Sequence, residues 1–188
     1  MVFVISAPSG TGKTTVIKQF LRKHKKDFIM SISATTRQPR KGEKDRKDYF
    51  FMTKEKFREN IKKGRFLEYA RVLDNYYGTL KETVRKNTKK GKNVIMDIDI
   101  QGARKIRRKE KDCITIFIIP PTFRELEKRL KKRRTESKNN MKKRLDLAKR
   151  ELKERKKYNY IVVNKELKEA TYFLECIYRL EMFKRYKI

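Results

Sequence analysis

Ala7-Pro8-Ser9-Gly10-Thr11-Gly12-Lys13-Thr14 follows the apolar run Val2-Phe3-Val4-Ile5 and passes through Thr15 into Val16, Ile17, Phe20 and Leu21 at helical spacing. The order is therefore strand, loop, helix. In that order the pattern G-x-x-x-x-G-K-[ST] has a physical meaning, because loop amides and a helix N-terminus converge on one anion. Gly10 and Gly12 let the backbone wrap phosphate oxygens, Lys13 brings a point charge to the terminal phosphates, and Thr14 sets a hydroxyl where Mg²⁺ would sit. Ala7 stands at the motif's first glycine, a position that needs only a small residue at the strand exit. The competing reading is a chance match on a strand-to-helix turn. Two glycines, a lysine and a threonine in place between correct flanks argue against it.

The whole chain has 188 residues, enough for one domain with insertions. Hydrophobic residues make up 37% and aromatics 11%, so a core can form. Lys and Arg number 54 against 23 Asp and Glu, a net charge of +31. Such a field attracts polyanions, but the positive residues are spread along the whole chain, which favours a solvated basic surface over a dedicated nucleic-acid face. Cys113 and Cys176 match no metal or redox spacing and read as reduced thiols in apolar surroundings. A strand starting at Val2 leaves no room for a leader peptide, and no apolar run reaches membrane-spanning length, so a cytoplasmic location is expected.

Beyond the first helix, Phe28 to Ser33 reads as a strand. It leads into Arg37-Gln38-Pro39-Arg40, where two arginines beside hydroxyl residues suit either a phosphate clamp or an ordinary basic turn. Asp48 to Met52 reads as a strand, Thr53 opens a helix with Phe57 and Ile61 on one face, and Phe66 to Val72 is a further strand ending at a turn over Asp74 to Gly78. Thr79 and Glu82 form a capping-box pattern for the next helix. Val94-Ile95-Met96-Asp97-Ile98-Asp99 is an apolar run ending in carboxylates; Asp97 is placed to hold Mg²⁺ through water, the alternative being a structural pair of acids. Ile114 to Ile119 reads as a core strand stopped by Pro120-Pro121, and Thr122 with Glu125 caps a helix carrying Leu126 and Leu130. The basic stretch after Arg129 fits a lid over a nucleotide and an exposed hairpin equally well. Met141, Leu145, Ala148 and Leu152 resume helical spacing, Tyr160 to Val163 is the last strand, and a final helix carries Leu167, Ala170, Leu174 and Ile177. Phe50, Phe51, Phe117 and Phe173 read as core, and His24 as a surface residue of the first helix. Alternating strands and helices argue for a doubly wound parallel sheet.

In seven places along Val2 to Ile177 the chain resembles guanylate kinases. These are Ser6 to Thr14, Thr35 to Arg40 with Gly42-Glu43, Asp48 to Phe51, Phe66-Leu67-Glu68, Asn75 to Thr79, Asp97 to Gly102, and Pro120-Pro121. The resemblance implies an α/β three-layer P-loop NTPase fold with a mostly parallel central sheet. It also implies one domain over 1–188, with a core at 1–32, 80–124 and 146–188, an inserted mixed GMP-binding subdomain at 33–79, and a helical lid at 125–145. The implied reaction is ATP + GMP = ADP + GDP, with Mg²⁺, ATP and GMP as the small-molecule partners. ATP would be held by Ala7, Pro8, Ser9, Gly10, Thr11, Gly12, Lys13, Thr14, Thr15 and Asn164, and Mg²⁺ by Thr14 and Asp97. Ser33, Glu68, Thr79 and Asp99 would read guanine, and Arg37, Arg40, Tyr49 and Tyr77 would hold the GMP phosphate. Lys13, Arg37, Arg129, Arg133 and Arg144 would neutralise the migrating phosphoryl group.

The chemistry of the base agrees with those assignments. Guanine offers adjacent N–H donors at N1 and N2 that one carboxylate accepts together, and adenine does not. The chain departs from the family in its lid, where Lys132-Arg133-Arg134 replaces a glycine-flanked arginine, and at Lys165, where an acid is common. Two other classes compete: a catalytically weak interaction domain on the same fold, which would be expected to have a degraded phosphate loop, and a basic RNA-binding protein, which would interleave exposed aromatics with its cations. Weak polyanion binding, no membrane association, and a monomer or small homo-oligomer are expected.

Overall fold

The protein is described here by a computed structural model covering residues 1–72, 74–132 and 138–186. In chain order its elements are β1 (Val2–Ser6), α1 (Lys13–Lys23), β2 (Phe28–Met30), β3 (Ser33–Thr35), β4 (Phe50–Phe51), α2 (Lys54–Lys62), β5 (Phe66–Val72) and β6 (Asn75–Leu80). There follow α3 (Lys81–Lys89), β7 (Asn93–Asp97), α4 (Ile100–Lys109), β8 (Ile114–Ile119), α5 (Phe123–Lys132), α6 (Lys138–Lys153), β9 (Tyr160–Val163) and α7 (Leu167–Arg185). Among the described residues, nine strands form a five-stranded sheet in the order β2-β7-β1-β8-β9 and a four-stranded sheet in the order β4-β3-β6-β5. The chain divides into two compact units, one of Met1–Val4 with Lys26–Ile114 and the other of Ile5–Lys25 with Thr115–Ile188.

The first sheet takes its character from strands that are apolar on both faces. Val4 and Ile5 in β1, Val94, Ile95 and Met96 in β7, and Ile116, Phe117 and Ile118 in β8 are all buried, as expected of central strands in a parallel sheet. β2 pairs parallel with β7 and β9 parallel with β8. At the β9 edge, Ile161 and Val163 alternate outward while Val162 is buried.

The second sheet is mixed: β3 runs parallel to β4 and antiparallel to β6, and β5 is antiparallel to β6. Its core is Ala34, Phe57 and Phe66, with Phe66 and Tyr76 stacked on Phe57 at ring-centroid distances of 4.3 and 5.4 Å. β5 is an edge strand, and α4 covers it. Lys105 Nζ donates to the carbonyl of Tyr69, and Lys109 Nζ reaches the carbonyl of Leu67 at 3.5 Å.

Several expected boundaries move. The run Phe28–Ser33 is two strands in two sheets: Ser31 N–H donates to Ile95 O at 2.8 Å to end the first, and β3 starts the second. Only Phe50 and Phe51 of the stretch 48–52 form a strand. Asn75–Gly78 is not a turn but the start of β6, a middle strand paired on both sides, as its aromatic and β-branched residues allow. The capping box at Thr79 and Glu82 does not form; Leu80 occupies the N-cap position, and the Thr79 hydroxyl is turned to Glu68 instead. Helix α4 was not anticipated from the sequence. His24 is half-buried, stacked on Phe20 at 4.5 Å and 3.7 Å from the Glu175 carboxylate. Phe117 is core, but Phe173 is 42% exposed on α7. The Thr53 and Thr122 caps form as expected, accepting from Lys56 and Glu125 N–H at 3.2 and 3.1 Å. Cys113 and Cys176 are free thiols, each partly buried.

Candidate active site

The phosphate loop lies in the unit built on Thr115–Ile188. β1 ends at Ser6, and the chain turns through Gly10 and Gly12 at φ values of 89° and 84°, the left-handed region where a Cβ is strained. Gly12 is also the N-cap of α1 and brings no side chain to it. The first-turn amides, which have no carbonyl four residues back inside the helix, give that end its affinity for anions. Lys13 is half-buried, Thr14 and Thr15 are exposed, Ala7 and Gly10 are half-buried, Pro8 is buried and Ser9 is exposed.

The loop is braced from beneath. Thr11 is buried and its hydroxyl donates to Pro8 O at 3.0 Å. Asn164 Nδ2 donates to Thr11 O at 2.6 Å, while Arg129 Nη1 donates to Asn164 O at 3.2 Å and to Thr11 O at 3.4 Å. Glu125 accepts from Arg129 Nε at 3.0 Å. In this conformation both Asn164, expected to hold ATP, and Arg129, expected in the lid, hold the loop's backbone. Arg144 is half-buried on α6. Arg133 lies outside the described residues.

A second pocket lies in the unit built on Lys26–Ile114. The register of the mixed sheet sets Ser33 opposite Thr79 and Glu68 opposite Thr79. Opposed residues share a face, so Ser33, Thr79 and Glu68 stand in a row across three strands. Tyr77, two residues before Thr79, points to the same side. Glu68 is 4% exposed and Thr79 fully buried. Thr79 Oγ1 donates to Glu68 Oε1 at 2.9 Å. Asp99, at the N-cap of α4, accepts from Gly102 N–H at 2.7 Å. Burial pushes the Glu68 carboxyl up to about 7, the nearby Asp99 charge adds to this, and the Thr79 bond opposes it.

Beside that row the cationic and phenolic groups gather. The Arg37 guanidinium lies 5.4 Å from the Tyr49 ring centroid and 5.9 Å from that of Phe51. The Tyr49 and Tyr77 rings meet edge to face at 6.2 Å. Arg40 is exposed and contributes its backbone N–H to Glu43 at 2.7 Å. Glu43 also takes both of its oxygens to Arg37 Nη2 at 2.9 Å, and this pairing holds its carboxyl below the usual carboxylate range. The role of Glu43 is not evident from the sequence. The visible signal is an acid six residues after Arg37, across a turn containing Pro39 and Gly42. Asp97 ends β7 half-buried.

A glycine-turned loop between the first strand of a parallel sheet and a helix N-terminus defines the P-loop class of nucleotide-binding proteins. Comparison narrows this. The family model described as guanylate kinase matches residues 1–179. A guanylate kinase of Clostridium tetani is 46% identical over 181 residues, covering 96% of this chain and 86% of its own. One from Caldanaerobacter subterraneus is 48% identical over 170 residues, covering 90% and 82%. The crystal structure of guanylate kinase from Anaplasma phagocytophilum superposes with a TM-score of 0.78 at 32% identity, covering 96% of this chain and 85% of that one. The chain belongs to the guanylate kinase family.

Proposed function

We propose that this protein transfers the γ-phosphoryl group of ATP to GMP, giving ADP and GDP. Family membership supplies the reaction. The observation that carries the substrate assignment is the row Ser33–Thr79–Glu68, with Asp99 beside it. Ionised Glu68 accepts the N1–H and N2–H of guanine while Thr79 holds it by its hydroxyl, and the Ser33 hydroxyl serves O6. Against adenine the same carboxylate would be desolvated with no donor pair to meet it, which rejects the wrong base. Tyr49, Tyr77, Arg37 and Arg40 take the GMP phosphate, with Glu43 orienting Arg37 until the anion arrives.

On the other unit, the loop from Ala7 to Thr15 wraps the ATP phosphates and Lys13 neutralises their terminal charge. Asn164 and Arg129 keep the loop in shape, and Arg133 and Arg144 supply further positive charge to the migrating group. Residues 33–79 serve as the GMP-binding subdomain and 125–145 as the lid of a single 1–188 domain. Phosphoryl transfer asks for positioning and charge neutralisation rather than covalent help, and the attacking GMP phosphate is already an anion, so no general base is required. Thr14 and Asp97 offer hard oxygen donors of the kind Mg²⁺ prefers. Among the described residues no group of three or more His, Cys, Asp or Glu is placed to hold a metal ion. Bound with the help of Thr14 and Asp97, Mg²⁺ would supply positive charge to the phosphates.

No helix among the described residues is long and apolar enough to cross a membrane. We place the protein in the cytoplasm as a monomer or small homo-oligomer, with only weak, salt-sensitive polyanion binding. The test is ADP formation from ATP and Mg²⁺ with GMP, AMP, CMP, UMP and dTMP supplied separately. GMP is expected to dominate; AMP turning over as well as GMP would overturn the base assignment.

A further inference from the structure

Helix α4 carries a glycine where its backbone does not require one. Gly102 lies in the first turn and is not among the glycines with positive φ, which are Gly10, Gly12, Gly42, Gly64 and Gly91. Its conformation is one that alanine adopts more readily. What excludes a side chain is space. A Cβ at position 102 would stand 2.4 Å from Glu68 Oε2, 3.0 Å from the Glu68 carboxyl carbon and 3.2 Å from Asp99 Oδ1. The N–H of the same residue donates to that Asp99 oxygen. Both carboxylates of the pocket are thus set against a single Cα.

The other Glu68 oxygen is held by the Thr79 hydroxyl at 2.9 Å, and the residue is buried. The carboxylate therefore cannot step aside without turning or giving up that bond. The helix is the firmer partner. Asp99 caps it, Ile100, Ala103 and Ile106 anchor it in the core, and Lys105 ties it to the Tyr69 carbonyl. Any added group at 102 moves the end of a side chain rather than the backbone, so such a variant folds and misreads.

We infer that Gly102 is a positioning residue for base recognition: its missing side chain is the clearance in which Glu68 stands with its acceptor edge presented to the two N–H donors of guanine. This rests on Glu68 as the guanine-reading carboxylate. The test compares Gly102→Ala, Glu68→Gln, Glu68→Asp and the double variant Gly102→Ala/Glu68→Asp in the full chain. Each is assayed with GMP and with AMP at saturating ATP and Mg²⁺, and melted in parallel. Gly102→Ala is expected to raise KM for GMP roughly tenfold to a hundredfold, the range for a misdirected hydrogen bond to a charge. Its kcat should stay within about threefold of the parent, and it should melt within a few degrees of the parent, alanine's better helix propensity offsetting part of the cost of turning Glu68.

Aspartate is one methylene shorter, so the added methyl then finds room. In the Glu68→Asp background the same Gly102→Ala change is expected to alter KM by less than about threefold. An unchanged GMP KM in Gly102→Ala, an equal factor in both backgrounds, or a lowered melting point with loss of kcat overturns the inference. Failure of the underlying reading is distinct: Glu68→Gln would then leave the preference for GMP over AMP unchanged.

Discussion

Glu68→Gln should make the ligand-free protein more stable, by a margin that opens above about pH 4.5 and is nearly full by about 7. The carboxyl is buried beside Asp99, and its titration lies near 7 instead of the ordinary 4.5. The folded state therefore disfavours the ionised form. A carboxyl raised in this way contributes stability that is complete below about pH 4.5 and is lost as pH rises through about 7. At about 1.36 kcal/mol per pH unit, the gap corresponds to roughly 3 kcal/mol of destabilisation at pH 8 and above. Glutamine cannot ionise, and its amide oxygen still accepts from the Thr79 hydroxyl. The variant and parent should thus differ by about 1 kcal/mol or less at pH 5 and by about 3 kcal/mol at pH 8.5, the latter about 6–12 °C in Tm for a chain of this size. Urea titrations without nucleotide, at half-unit steps from pH 5 to 8.5, read the difference directly. A gap that stays constant across this range, or a variant less stable than the parent at pH 8.5, would refute the placement of a strained charge at Glu68.

The same carboxyl should govern how GMP is used. Because only the ionised form accepts both guanine donors, kcat/KM for GMP is expected to climb with pH through about 7. Glu68→Gln should remove that limb, leaving any remaining slope to the substrate phosphate; an acid limb identical in both proteins would contradict this. Lys13→Ala is expected to lower kcat by at least about a hundredfold while moving the Kd for GMP less than about threefold. Isothermal titration alongside turnover checks it, and equal loss of both would contradict the division of labour. Gly12→Ala combines a left-handed φ with a Cβ 2.7 Å from Asn164 Nδ2. It should cost about 1–3 kcal/mol in chemical denaturation and raise KM for ATP more than KM for GMP.

The sequence discloses most where chemistry and backbone need the same residues. The phosphate loop is readable because Gly10 and Gly12 are demanded by positive φ and Lys13 and Thr14 by the anion, so one short stretch states both fold and ligand. The central strands are readable because β7 and β8 are apolar on both faces. Where the reading slipped, two structures were compatible with one local pattern. Thr79 with Glu82 satisfies the rule for a helix start, yet a buried carboxylate one strand away claims the hydroxyl first. Tyr76-Tyr77-Gly78 resembles a turn until its neighbours on both sides are known. Helix α4 could have been found, since Asp99 is an N-cap residue and Ile100, Ala103 and Ile106 recur at helical spacing. That Arg129 and Asn164 meet under Thr11, 118 and 153 residues away in sequence, follows from no local pattern at all.

The lysines that reach β5 from α4 have an effect beyond the fold itself. A sheet ending in bare carbonyls invites a strand from another molecule to add on, and such growth has no natural stop. Here Lys105 and Lys109 occupy two of those carbonyls with ammonium groups. An incoming strand would have to evict positive charge from a flank that repels other copies of so basic a chain. Lys105 and Lys109 thereby guard the β5 edge of this sheet against strand addition.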